Sequence, residues 1–164
     1  MADLTKIESK LGEVTGLAMA AQAATAKVIS LSEGEDQGLV SQLQQMNKEA
    51  AETEKRCTDL AGSFDGKKTA ILEEARATKA KGAEMMSTYL DEDSEALDGF
   101  EFLTMAEAGE VGHWEILKTL NERARDSGVQ ELVEWGIPIQ QRHLEQVRQG
   151  SLKLAAEEDP NETS

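Results

Sequence analysis

The chain has 164 residues and a formal net charge of −15, from 32 acidic and 17 basic side chains. This length suits one domain, and the acidic excess excludes a surface that reads the phosphate backbone of nucleic acids or docks on anionic lipids. Glutamate and alanine are abundant, while the chain has only 2 Pro, 3 Phe, 2 Trp and 1 Tyr. This composition favours helices over a β-sandwich or barrel.

The N-terminal segment and the cysteine content indicate a cytoplasmic protein. Residues 1–10 are too polar for a signal peptide, and no run of about 18 apolar residues predicts a transmembrane helix. Cys57 is the single cysteine, which excludes an intramolecular disulfide and fits a reducing compartment. We expect one domain over residues 1–158 and a flexible tail over 159–164.

Apolar residues at helical spacing predict the first two helices. The first covers residues 3–31 and has alanine and glycine at its centre, which lets a neighbouring backbone approach closely. The second opens at Ser32, which with Glu35 has the spacing of a capping box, and ends at Asp65-Gly66. The two predicted apolar stripes are Leu4, Ile7, Leu11, Val14, Ala18, Ala21, Thr25 and Val28, then Leu39, Leu43, Met46, Ala50, Thr53, Cys57, Leu60 and Phe64.

Three further helices follow. A shorter one over residues 68–90 has more exposed charge and a narrower apolar stripe. After a short acidic linker, a fourth helix is predicted over 94–126, with Ser127-Gly128 as its stop. The fifth, over 129–157, contains Pro138, which predicts a kink because proline removes a backbone hydrogen bond.

The lengths of the connections suggest an architecture. The first two and the last two helices are each tightly connected, so each pair should form an antiparallel hairpin. Residues 65–93 can carry the chain from one end of the bundle to the other. The prediction is an all-α fold, an antiparallel four-helix bundle with a fifth, shorter crossover helix between the second and fourth helices, which is the connectivity of ferritin-like folds.

Several polar residues fall where apolar faces are expected. Glu107 projects within the apolar face of the fourth helix, and Glu110 lies at the edge of that face. His143 lies near the centre of the fifth helix's face, and Glu49 lies at the edge of the second helix's stripe. All lie near helix midpoints, which share one level in an antiparallel bundle. Because burial of unpaired charge is costly, such groups must be protonated, paired, hydrated or bound to a metal.

A carboxylate-rich site with one or two histidines suits iron or manganese. Glu107 and Glu110 are predicted as carboxylate ligands and His143 as an imidazole ligand. Two alternatives stay open: Glu107 as a core-edge acid paired with Arg142, and His143 as a hydrogen-bonded interior histidine. Glu110 and His113 form a Glu-x-x-His, a spacing that abundant glutamate produces easily by chance. The full set of candidate metal ligands is Glu49, Glu52, Glu107, Glu110, His113 and His143.

Two segments resemble a known family. The first is Ala106-Glu107-Ala108-Gly109-Glu110-Val111-Gly112-His113-Trp114-Glu115-Ile116, and the second is Glu52-Thr53-Glu54 followed by Leu60 and Phe64. They resemble the ferritin-like superfamily, and most closely the YciE/YciF-type bacterial ferritin-like proteins, which have a His-aromatic-Glu-Ile run in the equivalent helix. The resemblance implies a four-helix bundle with a carboxylate-bridged two-metal centre, often iron, and sometimes ferroxidase or oxidase chemistry.

The candidate ligands of this chain differ from the ligand set of that two-metal centre. The family's site takes one Glu from each of two helices and a Glu-x-x-His from each of the other two. Here the first helix offers Gln22, the second offers Glu49 and Glu52 without a histidine, and Gln140 precedes His143 in the fifth. A mononuclear or altered metal site therefore stays open beside the two-metal centre.

The predicted function is iron or manganese binding, in iron handling or in an oxidative or stress response. One alternative is a non-catalytic structural or oligomerising bundle with a degenerate metal site. Another is a partner-binding module that uses the Ala/Gly-rich face of the first helix. We expect a homo-oligomer, a dimer or larger, with neither nucleic acid nor a membrane as a partner.

Overall fold

The computed structural model describes residues 2–163, which fold into five helices packed against one another. No β-strand occurs within this range, so the all-α prediction is confirmed. The helices are α1 (Lys6–Leu31), α2 (Gln37–Ala61), α3 (Lys68–Tyr89), α4 (Ala96–Ala124) and α5 (Ser127–Ala156).

α1 packs against α2, α3 and α4, and runs antiparallel to α4. Near the start of α4, Gly99 lies against Val28 near the end of α1. Farther along α4, His113 Nδ1 lies 3.1 Å from Nζ of Lys10, near the start of α1. The opposed order of these two contacts gives the antiparallel direction.

α5 lies between α2 and α4 and is antiparallel to both. Gly128, at the start of α5, packs on Leu60 near the end of α2. Gly150, near the other end, packs on Leu39 of α2 and on Phe100 of α4. The helices α1, α2, α5 and α4 therefore form a closed ring of antiparallel neighbours.

α3 packs along the outside of α1 and runs parallel to it. A Cβ on Gly12 would lie 2.8 Å from the carbonyl oxygen of Ile71, and a Cβ on Gly82 would lie 2.8 Å from the Cβ of Ala20. Because only glycine permits such an approach, the glycine-containing part of α1 is where α3 docks. α3 thus connects the two hairpins, as predicted for the crossover helix.

The start of α2 differs from the capping-box prediction. Ser32 ends α1 instead, since its hydroxyl donates to the carbonyl of Val28 at 2.7 Å. α2 begins later, with Asp36 as its N-cap accepting a hydrogen bond from the backbone N–H of Gly38 at 2.7 Å. Asp36 is an equally good capping type, so the pattern with Ser32 and Glu35 was misleading.

The connection between α4 and α5 lies two residues earlier in the chain than predicted. α4 ends at Ala124, and Arg125 takes the left-handed conformation with φ 54°. Asp126 then caps α5 by accepting from the N–H of Val129 at 2.9 Å. Ser127-Gly128 therefore begins α5 and does not terminate α4, and α5 continues as one helix through Pro138.

The buried apolar residues form two clusters, one toward each end of the ring. One is built around Leu43, Phe100 and Leu103, and the other around Leu11 and Trp114. Buried polar side chains from α4 and α5 lie between the two clusters. Glu107, Glu110 and His143 are the predicted mid-helix residues among them.

α1 qualifies as a possible membrane-crossing helix by length and composition, whereas no transmembrane helix was expected from the sequence. Among the helices described it is the single one that does. Core helices of water-soluble proteins pass the same test, and α1 packs against α2, α3 and α4.

Candidate metal centre

Four buried polar side chains lie between the two apolar clusters. Glu107 and Glu110 come from α4, and Gln140 and His143 come from α5; each is at most 4% exposed. Each pair has i, i+3 spacing, which places both members on one helix face. The two inward faces therefore meet in the ring's interior.

Glu49 of α2 is the carboxylate that binds the α5 side of this cluster. Its Oε1 and Oε2 accept hydrogen bonds from Nη1 and Nη2 of Arg142, at 3.0 and 2.5 Å. Its Oε1 also lies 3.0 Å from Nε2 of His143. Burial raises the pKa of Glu49, but the hydrogen bonds from Arg142 and His143 outweigh this and hold the pKa below its ordinary value. Glu49 is therefore a carboxylate at neutral pH.

The state of Glu49 decides the tautomer of His143. A carboxylate can only accept a hydrogen bond, so Nε2 of His143 carries the hydrogen atom and donates the hydrogen bond to Glu49. Burial lowers the pKa of His143, against the opposing effect of Glu49, so the imidazole is neutral near pH 7. Nδ1 then carries a lone pair, and it lies 4.0 Å from Oε2 of Glu107. That separation is too long for a hydrogen bond.

Glu107 and Glu110 are the unsatisfied part of the cluster. Burial raises the pKa of Glu110 to about 7, and the indole N–H of Trp114 acts in the opposite direction without reaching hydrogen-bonding geometry. Burial and the neighbouring charge of Glu110 raise the pKa of Glu107 well above its ordinary value. Oε2 of Glu107 is buried and has no hydrogen-bond partner. Such an unpaired buried oxygen costs free energy unless something else binds it.

Gln140 adds a further unpaired oxygen to the cluster. Its side-chain Oε1 is buried and lacks a hydrogen-bond partner, like Oε2 of Glu107. It lies one helical turn before His143, at the position where the family pattern has Glu. Gln140 was not among the metal ligands predicted from the sequence.

Cys57 contributes no reactive group to the site. It is fully buried, and burial raises the pKa of its thiol to about 12. The thiol is therefore protonated at neutral pH and poorly suited as a nucleophile or metal ligand. The interpretation of Cys57 as a buried core residue is confirmed.

Two of the predicted ligands lie outside the cluster. Glu52 is on an exposed face, where it binds Arg56 at 3.0 Å. His113 is partly exposed, and its Nδ1 lies 3.1 Å from Nζ of Lys10 and 3.2 Å from Oε2 of Glu13. The structure places His143 between Glu49, 3.0 Å from its Nε2, and Glu107, 4.0 Å from its Nδ1, while Glu110 is a neighbour of Glu107.

Arg142 and Gln22 have hydrogen-bond partners that the sequence did not predict. Arg142 binds Glu49 and leaves Glu107 without the partner suggested for it. Gln22 donates to Oε1 of Glu54 at 2.7 Å, so this α1 side chain pairs with α2. The sequence did contain a sign of the Arg142–Glu49 pair. Arg142 and His143 are adjacent, and neighbouring residues at a helix edge can both reach one acid on the next helix.

The donors present are two carboxylates, one imidazole nitrogen and one amide oxygen, a set that suits iron or manganese. Across residues 2–163, however, no three His, Cys, Asp or Glu side chains converge closely enough to hold a metal ion. The donor chemistry fits one ion better than a carboxylate-bridged pair, because Gln140 replaces an acid and Arg142 binds Glu49. No protein-family model, curated protein or solved structure matches the chain.

Proposed function

We propose that this protein is a ferritin-like bundle that binds a single iron or manganese ion at mid-bundle, in iron handling or an oxidative stress response. The observation that carries the proposal is the pair formed by Glu107 Oε2, which is buried and unpartnered, and His143 Nδ1, 4.0 Å away. Bonds from carboxylate oxygen or imidazole nitrogen to such metals are about 2.0–2.2 Å long. Two donors 4.0 Å apart are therefore within the span of one coordination sphere.

Each residue of the cluster has a role in this proposal. Glu107 supplies a carboxylate ligand and His143 supplies Nδ1. Glu110 is the second carboxylate whose charge helps to balance a divalent ion, and it must move toward the ion to become a third ligand, because no three such side chains converge among the described residues. Glu49 is assigned to orient the imidazole through its hydrogen bond to Nε2, the usual arrangement behind a metal-bound histidine. Binding requires both raised-pKa carboxyl groups to lose their protons, so the affinity for metal should rise with pH.

A second candidate is a structural bundle whose metal site has degenerated. It is favoured by the bidentate Arg142–Glu49 pair, which stabilises the α2–α5 side without a metal. In that case Glu107 and Glu110 remain protonated in the interior and bind nothing.

Metal analysis distinguishes the two candidates. Protein is purified from cells grown with added iron and manganese, and we expect about one equivalent of metal per chain. Glu107→Gln and His143→Ala should lose that metal, while Glu52→Gln, on the exposed face, should retain it. Circular dichroism confirms that each variant is folded. Less than about a tenth of an equivalent in the parent protein would favour the structural bundle.

A further inference from the structure

A second feature of the interior is a cavity of about 280 Å³ between α1, α3 and α4. It exists because α3 and α4 contact each other little, although both pack on α1. Its walls are the alanine-rich part of α1 over residues 17–24, together with Met86 of α3 and Phe102 and Leu103 of α4. Met85 and Met105 also line it and are 45% and 40% exposed. An apolar cleft is therefore open to solvent on this side of the bundle.

The cavity is apolar except where it meets the polar cluster. Glu107 and Glu110 both line it, and both are at least nine-tenths buried. Glu107 belongs to both features, since it lines the cavity and its Oε2 lies 4.0 Å from Nδ1 of His143. A ligand in the cleft would thus meet apolar walls and two acids.

We propose that this cavity binds a small apolar molecule that carries a primary amine, with the ammonium group against Glu107 and Glu110. Lys79 is the lysine among the lining residues and is exposed at the rim, and His113 is partly exposed beside Glu13. The two acids inside the cleft have no buried cation among the residues that line it. The ammonium group of a ligand would supply a positive charge and hydrogen-bond donors to these two acids.

Charge complementarity selects the amine over other polar head groups. A carboxylate ligand would add a third acid beside Glu107 and Glu110 in a protein of net charge −15, whereas an ammonium group can donate hydrogen bonds to both and is attracted by the net charge of the protein. A neutral alcohol would gain a hydrogen bond without the charge, and hydrogen bonds to charged groups are the stronger ones.

The size of the cavity limits the ligand. Its volume of about 280 Å³ is near the lower end of the range of volumes of ligand pockets. It is well above the volume of the roughly 150 Å³ cavity that holds benzene. A molecule of about nine non-hydrogen atoms suits this volume. Methionine sulfurs also contact aromatic rings favourably, so 2-phenylethylamine is a suitable probe.

Calorimetric titration of chelator-treated protein with three probes tests the proposal. 2-Phenylethylamine, 2-phenylethanol and 3-phenylpropanoate share a phenyl group and differ in charge. We expect the amine to bind at least about tenfold more tightly than the alcohol, and the acid not to bind. In Glu107→Gln the preference for amine over alcohol should fall to less than about threefold.

Two glycines of α4 provide a matched pair of variants. Gly109 lines the cavity and Gly112 does not, and a Cβ on either would have no neighbour within 4 Å. Gly109→Leu should therefore obstruct the cleft and weaken amine binding by at least about tenfold. Gly112→Leu adds the same side chain outside the lining and should leave the affinity unchanged.

Three results would overturn the proposal: no binding of the amine, equal affinities for amine and alcohol, or unchanged binding in Gly109→Leu. A chain whose cleft is covered by a second copy would give the first result. Failure of the metal proposal is separable, because His143 does not line the cavity. His143→Ala should abolish metal binding and leave amine binding intact.

Discussion

His143 and Glu107 approach each other across the α4–α5 interface, with 4.0 Å between Nδ1 and Oε2. On the far side of His143, its Nε2 is bound by Glu49, which Arg142 also binds. The polar layer is therefore satisfied toward α2 and unsatisfied toward α4. This asymmetry is the basis of both proposals and of the predictions below.

Glu110→Gln should stabilise the metal-free protein more at high pH than at low pH. The pKa of Glu110 is raised from 4.5 to about 7 in the folded state, so its contribution to stability declines as pH rises between those values. The amide has no proton to lose. Between about pH 5.5 and pH 8 the gain in unfolding free energy should grow by about 2 kcal/mol, measured by urea denaturation.

The exposed Glu115→Gln on the same helix serves as the control for this change. It should show no comparable growth across the same interval. An effect of Glu110→Gln that is independent of pH would mean that burial does not raise the pKa of this carboxyl group.

Glu49→Gln should cost more stability than Glu52→Gln, although both acids lie on α2 and each binds an arginine. Glu49 also binds His143 in a partly buried setting, so its loss should lower the unfolding free energy by about 1–3 kcal/mol. Glu52 forms an exposed i, i+4 pair with Arg56, worth at most about 0.5 kcal/mol. Thermal unfolding of the two variants under identical conditions measures the difference, and equal losses would contradict the assigned roles.

His143 should titrate below its ordinary pKa of 6.5 because burial disfavours the imidazolium. A lowered pKa means that the folded state loses stability as pH falls below 6.5. NMR of the imidazole protons in metal-free protein measures the midpoint directly. A midpoint at or above 6.5 would show that Glu49 outweighs burial.

Gly16→Ala should destabilise the protein, while Gly112→Ala should stabilise it. A Cβ on Gly16 would clash with the backbone carbonyl of Ala75, which cannot move without separating α1 from α3. The expected loss is about 1–3 kcal/mol. Gly112 has open space at the Cβ position, so alanine gains up to about 1 kcal/mol of helix propensity. Denaturant unfolding of both variants tests the α1–α3 contact.

Helical periodicity predicted the number and order of the helices, and the apolar stripes matched the core closely. All of Leu43, Met46 and Cys57 in α2 are buried, as are Phe100 and Trp114 in α4. The predicted helix ends were less accurate. Several capping types lie close together in each turn, and only the backbone path selects Asp36 over Ser32.

The sequence by itself determined an acidic, all-helical chain with Glu107 and His143 on inward faces, because charge and periodicity are local properties of each segment. Only the tertiary structure decided which partners those residues meet. Glu49 binds Arg142 and His143, while Glu107 has an unpartnered buried oxygen and lines an open cavity. Those outcomes depend on the axial register and spacing between helices, which a single helix's pattern does not contain.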